Sequence, residues 1–104
     1  MNDATPPNLT REQLAGRLKS IADPVRLAIL HRLPPNADHC EQLYNVSELA
    51  EEIGVSQPTI SHHLRHLRQA GLVHSRKMCR DVYYWVNHAA VTELLNEFSA
   101  TLRP

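Results

Sequence analysis

Apolar residues recur at helical spacing through most of the chain and give way to a strand-like run only once. Leu14, Leu18 and Ile21 fall on one helical face. Thr10 followed three residues later by Gln13 makes a capping box, so a first helix is predicted from there to about Ala22. Asp23-Pro24 stops it and starts a second, with Asp23 as cap and Pro24 in a first turn that needs no amide donor. Leu27, Ala28, Ile29, Leu30 and Leu33 make that helix strongly apolar, and Pro34-Pro35 ends it. A polar, irregular stretch follows over 34–45. A short third helix is predicted over 46–53, with Leu49 and Ile53 inward, and Gly54-Val55-Ser56 reads as a tight turn. A fourth helix is predicted from Gln57 to Ala70, capped by Ser56 and closed by Gly71. Two strands are expected at 72–77 and 81–86, the second carrying the run Val82-Tyr83-Tyr84-Trp85-Val86, with Met78-Cys79-Arg80 as the tip. A last helix is predicted over 88–102, with Val91, Leu94, Leu95, Phe98 and Leu102 on one stripe. Residues 1–9, with Pro6 and Pro7, read as a flexible N-terminal arm and 10–104 as one domain, mainly α with a β-hairpin.

Within this order one stretch has a specific geometry. Leu49-Ala50-Glu51-Glu52-Ile53-Gly54-Val55-Ser56-Gln57-Pro58-Thr59-Ile60-Ser61 places a small residue, a glycine and an apolar residue where two steeply crossing helices require them. Ala50 lets the helices touch, Gly54 allows positive φ in the turn, and Ile60 packs back beneath the first helix. This is the helix-turn-helix pattern. On the second helix Ile60, Leu64 and Leu67 form the inward stripe, and the opposite side carries His62, Arg65 and Gln69 beside Ser61 and His66. Gln57, Thr59 and Ser61 lie in its first turns, the part of a recognition helix that reaches base edges. Arg65 offers a fork suited to guanine, Gln57 a pair for adenine, and Thr59 a contact to a thymine methyl or a phosphate.

Composition sharpens this picture. The chain has 104 residues, with 11 Lys and Arg against 11 Asp and Glu, so bulk charge gives no reason to expect a polyanion partner. The distribution does. From Gln57 to Arg80 there are five cations (Arg65, Arg68, Arg76, Lys77, Arg80) and no acid, while Glu48, Glu51 and Glu52 sit on the preceding helix. Arg76, Lys77 and Arg80 surround the hairpin tip, where they can lie on a phosphate backbone or in a minor groove. Tyr83, Tyr84 and Trp85 read as hairpin core and packing rather than a base-stacking platform. Cys40 and Cys79 are too few and too far apart for a disulfide framework, which favours a reducing, cytoplasmic setting. No stretch suits a membrane span, and the N-terminus lacks the features of a signal peptide. No nucleophile–base pair, phosphate-cradling glycine loop or carboxylate pair points to an enzyme.

Leu18-Lys19-Ser20-Ile21-Ala22-Asp23-Pro24-Val25-Arg26-Leu27-Ala28-Ile29-Leu30, Glu48-Leu49-Ala50, Val55-Ser56-Gln57-Pro58-Thr59-Ile60-Ser61-His62-His63-Leu64 and Ala70-Gly71-Leu72-Val73 together resemble the ArsR/SmtB family of winged helix-turn-helix repressors. The resemblance runs from about residue 12 to residue 100. It implies a winged helix-turn-helix homodimer joined through the first and last helices, binding double-stranded operator DNA until an inducer releases it. The apolar stripes at the two ends agree, and give Leu14, Leu18, Val91, Leu94, Leu95 and Phe98 as interface candidates, with intrachain core the alternative for part of each stripe. DNA contacts are assigned to Gln57, Thr59, Ser61, His62, Arg65, Arg76, Lys77 and Arg80.

The family's sensor sites do not carry over. Its thiolate position before the third helix reads Asn45-Val46-Ser47 here, with no thiol. Its site on the last helix is broken, with Asn87 and His88 at the start and only Glu93 and Glu97 after them. The remaining candidates for a divalent metal ion are His39 and Cys40, and for an oxidant Cys40 and Cys79, the latter between Lys77 and Arg80, whose charge favours thiolate. An inert cysteine is the plainer reading of each. The rival to a DNA-binding regulator is a winged-helix protein-interaction module, for which Arg65, Arg76 and Lys77 would be dispensable.

Overall fold

A computed structural model describes residues 9–36, 44–78 and 80–102. The described elements run α1 (Arg11–Ile21), α2 (Pro24–Arg32), α3 (Val46–Ile53), α4 (Gln57–Gln69), β1 (Val73–Met78), β2 (Asp81–Val86) and α5 (His88–Thr101). Local chemistry accounts for most of their ends. The Gln13 N–H donates to Thr10 Oγ1 (3.0 Å) and the Thr10 N–H to Gln13 Oε1 (2.9 Å), closing the expected capping box. Asp23 Oδ1 accepts from the N–H groups of Val25 and Arg26 at the start of α2. A second capping box that the sequence reading did not anticipate joins Asn45 and Glu48 ahead of α3. Gly54 ends α3 at φ 84°, and Ser56 Oγ accepts the Thr59 N–H at the head of α4.

The hairpin begins one residue later than the pattern predicts. The Leu72 N–H donates to the Leu67 carbonyl (3.0 Å), so Leu72 still belongs to the cap of α4 around Gly71 at φ 76°. β1 and β2 are antiparallel, with Val73 opposite Val86, Lys77 opposite Val82 and Met78 opposite Asp81. The connection is thus two residues, and Arg80 takes positive φ (79°). Tyr44 adds an isolated antiparallel bridge to Tyr84. Asn87 then ties the hairpin to α5: its side chain caps the Ala90 N–H and donates to the Gly71 carbonyl.

Ile29, Leu49, Ile60, Leu64, Leu67, Leu72 and Leu94 are the large side chains fully removed from solvent. At about 1.5–3 kcal/mol for each such side chain, this cluster from five segments is the principal force holding α4 in place. Leu9, which the sequence assigns to the arm, is also buried, and its N–H donates to Glu97 Oε1 at 2.9 Å. The rest of the arm, residues 1–8, lies outside the described residues.

The outer face of the hairpin departs from expectation. Residue alternation in a strand sends Val73, Ser75, Lys77, Val82, Tyr84 and Val86 to one side and His74, Arg76, Tyr83 and Trp85 to the other. Val73 and Val86 are buried and Tyr84 packs on the core. Trp85 instead lies half-buried beside His74 (ring centroids 5.5 Å apart), with the Arg76 guanidinium 5.5 Å from its ring centroid. Of the aromatic run, Tyr84 therefore packs on the core while Trp85 sits in a cation–aromatic stack on the outer face.

Candidate nucleic-acid interface

The turn at Gly54 joins α3 to α4, and the two helices pack on each other as the sequence motif requires. Ala50 is buried where the helices meet, and its carbonyl accepts the N–H groups of Gly54 (2.8 Å) and Val55 (3.2 Å). Ile60, Leu64 and Leu67 anchor α4 by the inward stripe. What remains outward is the polar side. Gln57, Ser61, His62 and Arg65 are exposed, and Thr59 is half-buried, with its hydroxyl 2.8 Å from Ser56 Oγ. Gln57 Nε2 donates to Ser47 Oγ (3.4 Å), which holds the head of α4 to α3.

Arg76, Lys77 and Arg80 are all exposed, but the hairpin separates them. Lys77 shares its strand face with Ser75, whose hydroxyl accepts from Arg68 of α4 at 3.5 Å. Lys77 thus lies on the side of the hairpin that α4 occupies. Arg76 points to the opposite face over Trp85, and Arg80 sits at the tip. The alternation of the strand was available in the sequence, and it distinguishes the two neighbouring cations.

Electrostatics on α4 follow from crowding. His62 packs edge-on against His66, with ring centroids 4.6 Å apart. The His66 imidazole is pushed below its ordinary pKa, first by desolvation and then by Arg26, by His62 and His63 when they are protonated, and by Arg65. His66 therefore favours its neutral form unless an anion approaches.

The positions where related sensors hold ligands have structural duties here. Asn45 caps α3 and Ser47 receives Gln57. On α5, Asn87 is a cap, Glu93 pairs with Arg17 of α1 at 2.9 Å, and Glu97 binds the Leu9 N–H. Among the described residues no three His, Cys, Asp or Glu side chains group as a metal site. His39, Cys40 and Cys79 lie outside the described residues.

Of the interface candidates, Leu94 and Leu14 are buried within the chain. Leu18 and Val91 are half-buried against the same core. Leu95 (58% exposed), Phe98 (38%) and Leu102 (65%) are left open along one side of α5. Leu102, placed on this stripe by the sequence but not among the interface candidates, extends the open surface by one turn.

A buried-stripe helix following a tight glycine turn, with an exposed polar side and a basic hairpin alongside, defines a winged helix-turn-helix transcriptional regulator. Comparison with known proteins agrees. Residues 23–75 match the family described as bacterial regulatory protein, arsR family. The biofilm growth-associated repressor of Xylella fastidiosa is 34% identical over 103 residues, which cover 92% of this chain and 85% of that protein. The crystal structure of NolR from Sinorhizobium fredii superposes with a TM-score of 0.67 at 31% identity, covering 94% of this chain and 96% of that one. A winged helix-turn-helix DNA-binding domain from Mycobacterium bovis, described as homodimeric, has a TM-score of 0.64 at 27% identity, covering 86% of this chain and 80% of that one. The chain belongs to the arsR family of bacterial regulatory proteins.

Proposed function

We propose that this protein is a homodimeric repressor whose α4 enters the major groove of an operator while the β1–β2 wing follows the adjacent backbone. One observation carries the reading: the stretch 57–80, which holds no acid, exposes Arg65, Lys77 and Arg80, and among the described residues none of the three makes an ion pair. Gln57, Ser61, His62 and Arg65 are the base-edge candidates. Lys77 and Arg80 are assigned to phosphate or minor-groove contacts, and Arg76 to support of the wing through Trp85. Two copies join through α5, whose open apolar stripe at Leu95, Phe98 and Leu102 suits a second copy of itself. The homodimeric Mycobacterium bovis relative supports this arrangement. The arm assigned from the sequence precedes a single functional unit that takes in Leu9, buried in its core, and the reducing, cytoplasmic setting is where such a protein meets DNA.

The test is binding to a duplex selected in vitro by the protein from a random pool, followed by fluorescence anisotropy across a salt series. Affinity should fall steeply with salt as counterions are released. Arg65→Ala should cost about 1–3 kcal/mol and relax preference at one base position. Lys77→Ala should weaken all sequences alike. A protein with no more affinity for duplex at low salt than a neutral globular control overturns the reading. For the effector, a metal ion or an oxidant, the sequence leaves His39, Cys40 and Cys79, and titration of the DNA complex with zinc, nickel and peroxide in Cys40→Ser and Cys79→Ser variants assigns or removes each.

A further inference from the structure

The inward stripe of α4 fixes how deep the helix sits, but a stripe of leucines and one isoleucine tolerates small rotations. A polar contact on the same inner side does not. Arg26, on α2, donates from Nε to His63 Nδ1 on α4 at 3.0 Å, and from Nη1 to the Ser20 carbonyl at the end of α1 at 3.2 Å. His63 Nε2 lies 3.9 Å from Asp23 Oδ1, the carboxylate that caps α2. The His63 side chain is only 12% exposed, so it faces its own chain rather than a groove. One guanidinium thus joins three helices. Because Nδ1 accepts, the ring carries its proton on Nε2, pointed at a carboxylate.

We infer that Arg26 and His63 are positioning residues that set the rotation of the recognition helix, and that Arg26 links this setting to α1. His63 and Arg65 are two residues apart, about 200° around a helix of 3.6 residues per turn, so the ring held inside and the arginine presented outside lie on opposite sides. At about 6 Å from the helix axis a 10° rotation moves an atom by about 1 Å, enough to spoil a bidentate contact to a base. The same displacement directed along the 3.0 Å Arg26–His63 bond takes it to about 4 Å, beyond hydrogen-bond reach. Lysine cannot replace Arg26, since a single ammonium lacks the planar fork that serves both acceptors. The Asp23 cap fixes the first turn of α2, and so the origin of the Arg26 side chain.

This inference rests on the DNA-binding reading, and the experiment separates the two. Anisotropy titrations of the full chain use the selected duplex and an unrelated duplex of equal length, with Arg26→Ala, His63→Ala, the double variant, Arg26→Lys, His63→Gln and His63→Leu. Each alanine variant should lose about tenfold affinity for the selected duplex and less than twofold for the unrelated one. The double variant should be no worse than the poorer single, because both remove one contact. Glutamine, whose Oε1 can accept from Arg26, should keep most of the preference that leucine loses. Should either alanine variant melt below the assay temperature, Arg26→Lys and the Gln–Leu pair decide by the same ratio. Equal losses on both duplexes, additive losses, or Gln and Leu behaving alike overturn the positioning role. A wild-type protein that prefers no duplex overturns both readings.

Discussion

The same substitution should have opposite signs at two glycines, and the structure gives the size of each. Gly54 sits at φ 84° in the turn between α3 and α4, and a Cβ built there meets nothing within 4 Å. Crowding therefore adds nothing, and the cost of Gly54→Ala is local. A left-handed conformation costs an L-residue about 1–2 kcal/mol. Reduced freedom of the unfolded chain returns about 0.4–1 kcal/mol. The net is a destabilisation of about 1 kcal/mol, with Gly54→Asn costing less because asparagine visits this region more readily. Gly16 lies inside α1, without positive φ, and a Cβ there also meets nothing within 4 Å. There alanine gains helix propensity, and Gly16→Ala should stabilise by about 0.5–1 kcal/mol. Urea denaturation monitored by circular dichroism, at one fixed protein concentration because dimerisation contributes to stability, measures both. In a domain of this size 1 kcal/mol corresponds to about 4–8 °C in Tm. Shifts of the same sign at the two sites, or an asparagine at position 54 that costs as much as alanine, would refute the reasoning.

Three further outcomes follow from single residues. Arg80 holds positive φ at the wing tip, so Arg80→Gly should raise thermal stability by up to about 1 kcal/mol while lowering DNA affinity; a loss of both would mean that the guanidinium stabilises the fold. The Asp23 carboxyl is held below its ordinary pKa chiefly by the Arg26 N–H, against an opposing effect of burial and with help from the Val25 N–H, from His63 when it is protonated, and from the charge of Arg26. With the folded value below the unfolded one of about 3.9, its contribution is present above about pH 4 and lost as pH falls through the folded value, so Asp23→Asn should flatten acid denaturation between about pH 5 and pH 2 relative to wild type, and equal slopes contradict this. Leu95→Glu, on the open stripe of α5, should shift the dimer toward monomer in analytical ultracentrifugation, while Val82→Glu on the equally apolar but separate wing position leaves it intact; the reverse result would move the interface.

Caps and turns were legible because their signals are local. Thr10 with Gln13, Asp23-Pro24, Ser56 with Pro58, and Gly71 each act within a few residues, and the helix limits follow them closely. Side-chain facing was less legible where two partners compete for one stripe. The apolar face of α5 is wide enough that Leu94 turns fully into the chain while Leu95, its neighbour, remains open. In the wing, a continuous aromatic run concealed the period of two that sends Trp85 outward and Tyr84 inward. The Arg26–His63 contact spans 37 positions, and no periodicity could have paired them. His63 lies between the exposed His62 and the inward Leu64, and its ring is spent on the interior.

The neutral net charge of the chain is reconciled with a polyanion partner by how its acids are used. Asp23, Glu48 and Glu97 accept backbone N–H groups, Glu93 is bonded to Arg17, and Glu52 lies 3.9 Å from Arg32. Asp81, at the foot of the wing tip, accepts from Asn45 Nδ2. Five of these six carboxylates thus serve backbone N–H groups or cations on α1 and α2, and Asp81 alone lies on the wing. Their field is local, because a carboxylate that caps or pairs is partly neutralised and further screened beyond about 8–10 Å at physiological salt. Among the described residues, Asp81 is the one carboxylate on α4 or the wing, and no ion pair joins it to Arg65, Lys77 or Arg80. A phosphate backbone approaching that side meets Arg65, Lys77 and Arg80 with little opposing charge, although the chain as a whole carries none to spare. Segregation of charge by structural duty, rather than excess of charge, is what makes a neutral protein of this size able to hold DNA.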